Sequence, residues 1–148
     1  VLFLISPLAK VQPKPIKNYQ VETLDGDKVS LDDYKGEKLM LFFYSTDCPY
    51  CIQAIPVIEG LDEEELGINI LMVNMIEIER DIDNVIGVRD ELDMKHTIIL
   101  DEGATMSDDF QVSGTPTQVF IDEEGFVVNS VPGLLPAETL VELIEGME

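Results

Sequence analysis

Leu39-Met40-Leu41-Phe42-Phe43-Tyr44 is a continuous apolar run that leads within four residues into Cys48-Pro49-Tyr50-Cys51. An apolar run of this length fits a strand covered on both faces, the pattern of a parallel sheet. Pro49 suits the first position of a helix, where its missing N–H leaves nothing unpaired. Together they predict a central strand that ends at a helix start, with a cysteine on the junction. Cys48 and Cys51 are the only 2 cysteines of the 148 residues. A disulfide across two intervening residues closes so small a loop that it adds little stability. The pair is therefore read as a reactive centre and not as a staple.

A cysteine at a helix start meets free backbone N–H groups and the positive end of the helix dipole, which both favour the thiolate. Cys48 is placed to accept from the amides of Tyr50 and Cys51, while Cys51 lies on the same side, one turn deeper. The outer thiolate can attack a disulfide, and the inner one can resolve the mixed disulfide. Two other chemistries use the same residues. Half a zinc site needs two further ligands, and the chain offers a single histidine, His96. A peroxide-reducing thiolate needs a cation nearby, and the arginines are Arg80 and Arg89.

Asp and Glu number 30 against 9 Lys and Arg, a formal net charge of −21. Phosphate binding needs clustered cations, so the charge argues against nucleic acid or anionic lipid as a partner. Lys10, Lys14 and Lys17 come nearest to a cluster, scattered through a Pro-rich stretch. The acidity is read as a solvated surface, with an acidic docking face as the alternative. Length and an apolar fraction of 45% suit one domain with one core. Residues 1–17 are read as an N-terminal arm. Its apolar start, Val1 to Ile5, is too short to span a bilayer, which takes about 20 residues. It reads equally as the remnant of a signal or membrane anchor and as a loose arm or strand.

From residue 18 to 148 the pattern predicts one α/β domain. Strands at 19–23 and 29–31 are joined by the Asp25-Gly26 turn, and a helical turn follows at 31–34. After the strand at 39–44, a helix from Pro49 carries Ile52, Ile55, Ile58 and Leu61 inward. It is expected to end in Asp62-Glu63-Glu64-Glu65, where carboxylates oppose the dipole. Strands at 68–73, 97–100 and 117–121 alternate with helices at 81–92 and 105–110. An antiparallel return at 126–128 and a helix opened by Pro136 complete the order. His96 is read as an ordinary, partly exposed residue.

These residues resemble the thioredoxin superfamily, and within it the extracytoplasmic thioredoxins of the TlpA/ResA type, over roughly residues 18–147. The stretch from Phe42 to Cys51 carries the resemblance, with Pro56, which is similar to the helix-kinking proline of thioredoxins. The third feature is Gly114-Thr115-Pro116-Thr117-Gln118-Val119-Phe120-Ile121-Asp122, similar to the cis-proline loop and the strand behind it. Asn18 to Gly36 is similar to the hairpin added in that branch. The resemblance implies a thioredoxin fold: a central mixed β-sheet flanked by helices, with an added N-terminal β-hairpin. It implies that Thr115-Pro116 is cis and faces Cys48, with the Thr115 backbone open to an extended substrate. It also implies a place in the bacterial cell envelope, membrane-anchored or secreted, and exported clients such as apocytochrome c.

The departures from that family are as specific. Asp47 stands where relatives carry Trp, and Ile52 where a cation often follows the second cysteine. Ala54 stands where the ResA type has Glu, and Phe42 where thioredoxins proper bury Asp. Asp47, Glu77 and Glu79 are therefore the candidate acid/base groups. Glu77 and Glu79 follow the second parallel strand, at the carboxyl edge where α/β sites gather. The charge of Asp47 opposes the helix dipole at Cys48.

The expectation is a monomeric thiol-disulfide oxidoreductase that exchanges the Cys48–Cys51 pair with a protein disulfide or dithiol and with a redox partner protein. Cys48 is the nucleophile and Cys51 resolves; Thr115, Pro116, Pro49 and Tyr50 meet the substrate. No metal, organic cofactor or nucleic acid is implied. The alternatives are a thiol peroxidase of the peroxiredoxin type that uses Cys48, and a redox-inert acidic docking module.

Overall fold

The structure, a computed structural model, describes residues 14–147. Its strands are β1 (Gln20–Thr23), β2 (Lys28–Ser30), β3 (Lys38–Tyr44), β4 (Ile68–Asn74), β5 (Thr97–Leu100), β6 (Thr117–Ile121) and β7 (Val127–Pro132). They form one 7-stranded sheet in the order β2-β1-β5-β4-β3-β6-β7. The helices are α1 (Pro49–Glu59), α2 (Glu63–Leu66), α3 (Ile82–Glu91), α4 (Thr105–Asp109) and α5 (Ala137–Glu145). The sheet is mixed: β3 runs parallel to β4 and antiparallel to β6, and β4 parallel to β5. The β1–β2 hairpin adds to the far edge through antiparallel pairing of β1 with β5.

β3 is buried along its whole length, as its unbroken apolar sequence requires. Met40, Phe42 and Tyr44 pack on one face with Ile55 and Ile58 of α1 and with Leu140 and Ile144 of α5. Leu39, Leu41 and Phe43 pack on the other with Met106 and Phe110 of α4 and with Leu31. Each such side chain, fully buried, contributes about 1.5–3 kcal/mol. The core thus has two layers, one on each side of the sheet. The suggestion of a signal or anchor at the extreme N-terminus falls outside the described residues. Within them, Ile16 N–H donates to Gly125 O at 2.8 Å, and no helix is long and apolar enough to cross a membrane.

One expectation is corrected. The helix after the cysteines does not run into the acidic stretch; it stops at Glu59, and the Gly60 amide closes it onto the Pro56 and Val57 carbonyls. Asp62 then caps a separate helix, accepting from Glu64 N–H at 3.0 Å and Glu65 N–H at 3.1 Å. The acidic run therefore sits at a helix start, where its charge is favourable.

His96 is also more than an ordinary surface residue, because its side chain is only 9% exposed. One ring nitrogen meets Ile58 O at 2.9 Å, and Nδ1 lies 3.6 Å from Glu63 Oε1. The imidazole joins the end of α1 to α2. Burial opposes its charge, but the Glu63 contact, the Glu59 charge and the Ile58 carbonyl outweigh it, so its pKa is raised. Glu63 is lowered, first by its contact with His96.

The stabilisation from His96 is complete below its unfolded pKa and is lost as pH rises through the raised folded value. That from Glu63 is present above its unfolded pKa and is lost as pH falls through the lowered folded value. Between the two ordinary values, at about pH 5.5, His96→Gln is expected to cost about 1–2 kcal/mol. Urea denaturation across pH should show this gap narrowing above about pH 7. A gap that does not change with pH would mean that His96 is not charged in the fold.

Three buried polar atoms lack a hydrogen-bond partner among the described residues: Tyr44 OH, Asn74 Oδ1 and Gln118 Oε1. Tyr44 pairs with Asn74 across β3 and β4, and Gln118 with Phe42 across β6 and β3. All three lie towards one end of the sheet, on the face that α1 covers. Burial drives the Tyr44 pKa well above its ordinary value, so the hydroxyl keeps its proton. It lies near the Asn74 side chain, outside good hydrogen-bond geometry. A buried unpaired hydroxyl costs stability, so Tyr44→Phe is expected to be neutral or to stabilise by up to about 1 kcal/mol. A loss of that size in the denaturation midpoint would instead reveal a partner for the hydroxyl.

Candidate active site

β3 ends at Tyr44 and α1 begins at Pro49, so residues 45–48 form the turn between them. Cys48 is the N-cap of α1, with φ −98° and ψ 109°, and Cys51 N–H donates to its sulfur at 3.1 Å. One of the two amides expected to serve that sulfur is thus in place. Cys48 and Cys51 are joined as a disulfide with their Cα atoms 5.1 Å apart. Cys48 is partly exposed, whereas Cys51 is fully buried in the cluster beneath α1. An incoming group can reach only the outer sulfur.

The second wall of the site comes from far along the chain. Antiparallel pairing of β6 with β3, ending at Phe43 opposite Thr117, carries the loop before β6 to the cysteine turn. There the Thr115–Pro116 peptide is cis, and Thr115 O lies 3.5 Å from Cys48 Sγ. The loop is tied on both sides. Thr117 Oγ1 donates to Gly114 O at 2.7 Å, and Gly133 N–H donates to Pro116 O at 2.8 Å. Gln118 Nε2 donates to Val131 O at 2.7 Å and fixes the strand that brings Gly133 there.

The candidate carboxylates separate. Asp47 is exposed, with Arg80 Nε 3.7 Å from its Oδ2, a pair worth little in water. Glu77 Oε2 accepts from Gly103 N–H at 2.8 Å, in the turn after β5. Glu79 reaches the cysteine turn itself. Its Oε2 accepts from Thr46 N–H at 2.8 Å and from Asn74 Nδ2 at 2.8 Å, and Thr46 Oγ1 donates to its Oε1. Phe42 and Ala54, the positions where the resemblance leads one to expect a carboxylate, are packed in the apolar core. His96, held at the end of α1, is separated from the cysteines by the length of that helix.

Large apolar side chains exposed among the described residues are Tyr50, Ile78, Ile82 and Leu134. Tyr50 lies between the cysteines and is 62% exposed. Ile78 and Ile82 flank Glu79 and Arg80, which contact Thr46 and Asp47. Leu134 follows Gly133, the residue bonded to Pro116. Exposed apolar side chains thus occur in the cysteine motif and in the two segments bonded to the cysteine turn and the proline loop. Of these only Tyr50, with its neighbour Pro49, is marked in the sequence by the cysteine motif. The signal for Ile78 and Ile82 is their place in the acidic stretch Glu77 to Asp83, where no partner strand buries them.

The model of the AhpC/TSA family matches residues 13–130. The chain is 30% identical over 135 residues to a thiol-disulfide oxidoreductase ResA of Bacillus cereus, covering 90% of this chain and 74% of that protein. It is 28% identical over 130 residues to the ResA of Halalkalibacterium halodurans, covering 86% of this chain and 72% of that protein. Among solved structures, the exposed lipoprotein thioredoxin Etrx1 of Streptococcus pneumoniae superposes with a TM-score of 0.79 at 25% identity. That match covers 88% of this chain and 99% of Etrx1. The strand-to-helix cysteine pair, the proline loop against it and these matches agree: the chain belongs to the AhpC/TSA family, among the TlpA/ResA-like thiol-disulfide oxidoreductases of the thioredoxin superfamily.

Proposed function

We propose that this protein exchanges the Cys48–Cys51 dithiol and disulfide with cysteines of exported proteins in the bacterial cell envelope. One observation carries the reading: a part-exposed outer sulfur is joined to a fully buried inner one, beside the Thr115 carbonyl. Starting from the dithiol, the Cys48 thiolate attacks a client disulfide, and one client sulfur leaves as thiolate. Cys51 then gives its proton to that departed thiolate, directly or through water, and attacks Cys48 Sγ. The mixed disulfide breaks, the second client sulfur leaves, and two electrons have passed to the client. The reverse sequence oxidises a client dithiol. A redox partner protein resets the pair.

Thr115 and Pro116 would align an extended client segment, and Pro49 and Tyr50 would contact it. The exposed Tyr50, Ile78 and Leu134 support a polypeptide substrate, since apolar side chains gathered at a polar rim mark protein contact. Apocytochrome c is one client of suitable chemistry. The exposed lipoprotein Etrx1, similar in fold, supports a place outside the cytoplasm, where disulfides persist.

The test uses single-cysteine variants with a reducible model protein such as insulin. Cys48→Ser is expected to lower exchange at least about a hundredfold, and Cys51→Ser to accumulate a mixed disulfide through Cys48. Rapid sulfenate formation at Cys48 with peroxide, without exchange on any protein disulfide, would establish a peroxidase instead. A pair that no thiol reductant opens would leave only a docking role.

A further inference from the structure

The β3–β4 ladder runs through Tyr44 opposite Asn74, and Met75 N–H still donates to Tyr44 O at 3.0 Å. Beyond that point the backbones part, and Thr46 lies in the turn just short of Cys48. Its amide needs a partner. Glu79 supplies one from a different element, the end of the 3-10 turn Ile76–Ile78 that follows β4. The carboxylate takes the Thr46 amide and hydroxyl together and is itself held by the Asn74 side chain at the last rung of the ladder. It continues the ladder in side-chain form, past where the main chain can.

The Cys51 amide and the Thr115 carbonyl meet the sulfur of Cys48 directly, and Glu79 holds Thr46, two residues before it in the same turn. The Cys51 amide is the contact that bears on ionisation, and it favours a thiolate. Glu79 brings a formal negative charge to the same turn, and the one arginine there is engaged with Asp47. Charge-assisted hydrogen bonds from a backbone amide and a hydroxyl are about twice as strong as neutral ones. Glu79 is therefore suited to hold the turn and, by its charge, to oppose ionisation of the thiol.

We propose that Glu79 is the positioning residue of the exchange centre, which acts through Thr46 to set both the place of Cys48 and the pH at which it ionises. This rests on the exchange reaction proposed above. Glu79→Gln keeps an acceptor for Thr46 but removes the charge; Glu79→Ala removes both. The measurement is the pH profile of Cys48 alkylation by iodoacetamide in the Cys51→Ser background, with the melting temperature alongside. Insulin reduction is measured separately in variants that keep both cysteines.

For Glu79→Gln the half-point of alkylation is expected to fall by about one pH unit, which a purely structural contact would not produce. For Glu79→Ala, insulin reduction is expected to slow by about tenfold, while Glu79→Gln retains most of the rate. A Glu79→Gln profile that overlays the parent, or that moves to higher pH, overturns the proposal whatever the melting temperature does. That outcome can be read even if the alanine variant does not fold. Failure of the unmodified protein to reduce insulin would count against the exchange reaction, and leaves the alkylation profile to judge Glu79 by itself.

Discussion

Everything at the reactive edge depends on the pairing of β3 with a strand on each side. Parallel pairing with β4 puts the carboxyl ends of both strands at the same edge, so the turn after β3 and the turn after β4 become neighbours. Antiparallel pairing with β6 brings the start of that strand, with the Thr115–Pro116 loop, to the same place. Cysteine turn, carboxylate and proline loop come from positions 48, 79 and 115, and no local preference could assemble them. The burial of β3 on both faces is what makes this register costly to change. A slip by one residue would exchange Met40, Phe42 and Tyr44 with Leu39, Leu41 and Phe43 between two differently shaped halves of the core.

The interior then forces a second decision, about polar groups. A buried carboxylate is tolerated where donors surround it, and is otherwise driven to protonate. Beneath α1 the positions on the cysteine side of the core carry no carboxylate: Phe42 and Ala54 are packed as hydrocarbon. Glu79 reaches the turn from the side, and it has three donors. The same logic explains the corner at the other end of α1. Glu59 accepts from Lys95 N–H at 2.6 Å and Glu63 from Ile70 N–H at 2.7 Å, so acidic side chains close the backbone groups that strands and helices leave open.

Much of this is legible in the sequence, for identifiable reasons. The central strands announce themselves by unbroken apolar runs, and the cysteine pair by its spacing and by Pro49. The end of α1 is harder to read because Gly60 and the acidic run compete as terminators, and Asp62 suits both the tail of one helix and the cap of the next. Only the geometry of Gly60 decides between them. His96 reads as ordinary because both its partners, the Ile58 carbonyl and Glu63, depend on how α1 meets the start of β5. Glu79 is one of three equal candidates in the sequence. Glu77, two residues earlier, has the same chemistry and is turned to Gly103, so a direction in space and not a residue type separates them.

The net charge of −21 invites the thought that the whole surface bears on the thiolate. Distance argues otherwise. Exposed charges further than about 8–10 Å away are largely screened at ordinary ionic strength, so most of the acidic surface acts on solubility and encounter and hardly on Cys48. The local balance is short. A helix N-terminus favours an anion by about 0.3–1 kcal/mol. A carboxylate a few ångströms from a partly buried thiolate can oppose it by as much or more, at an effective dielectric of about 20. Asp47 is exposed to water, which screens its charge. Glu79 has no cation among its described hydrogen-bond partners, which are an amide, a hydroxyl and a side-chain carboxamide. In a protein with 30 acidic residues, the proposed role of Glu79 thus rests on a local balance, between the N-terminus of α1 and one carboxylate hydrogen-bonded to the turn before it.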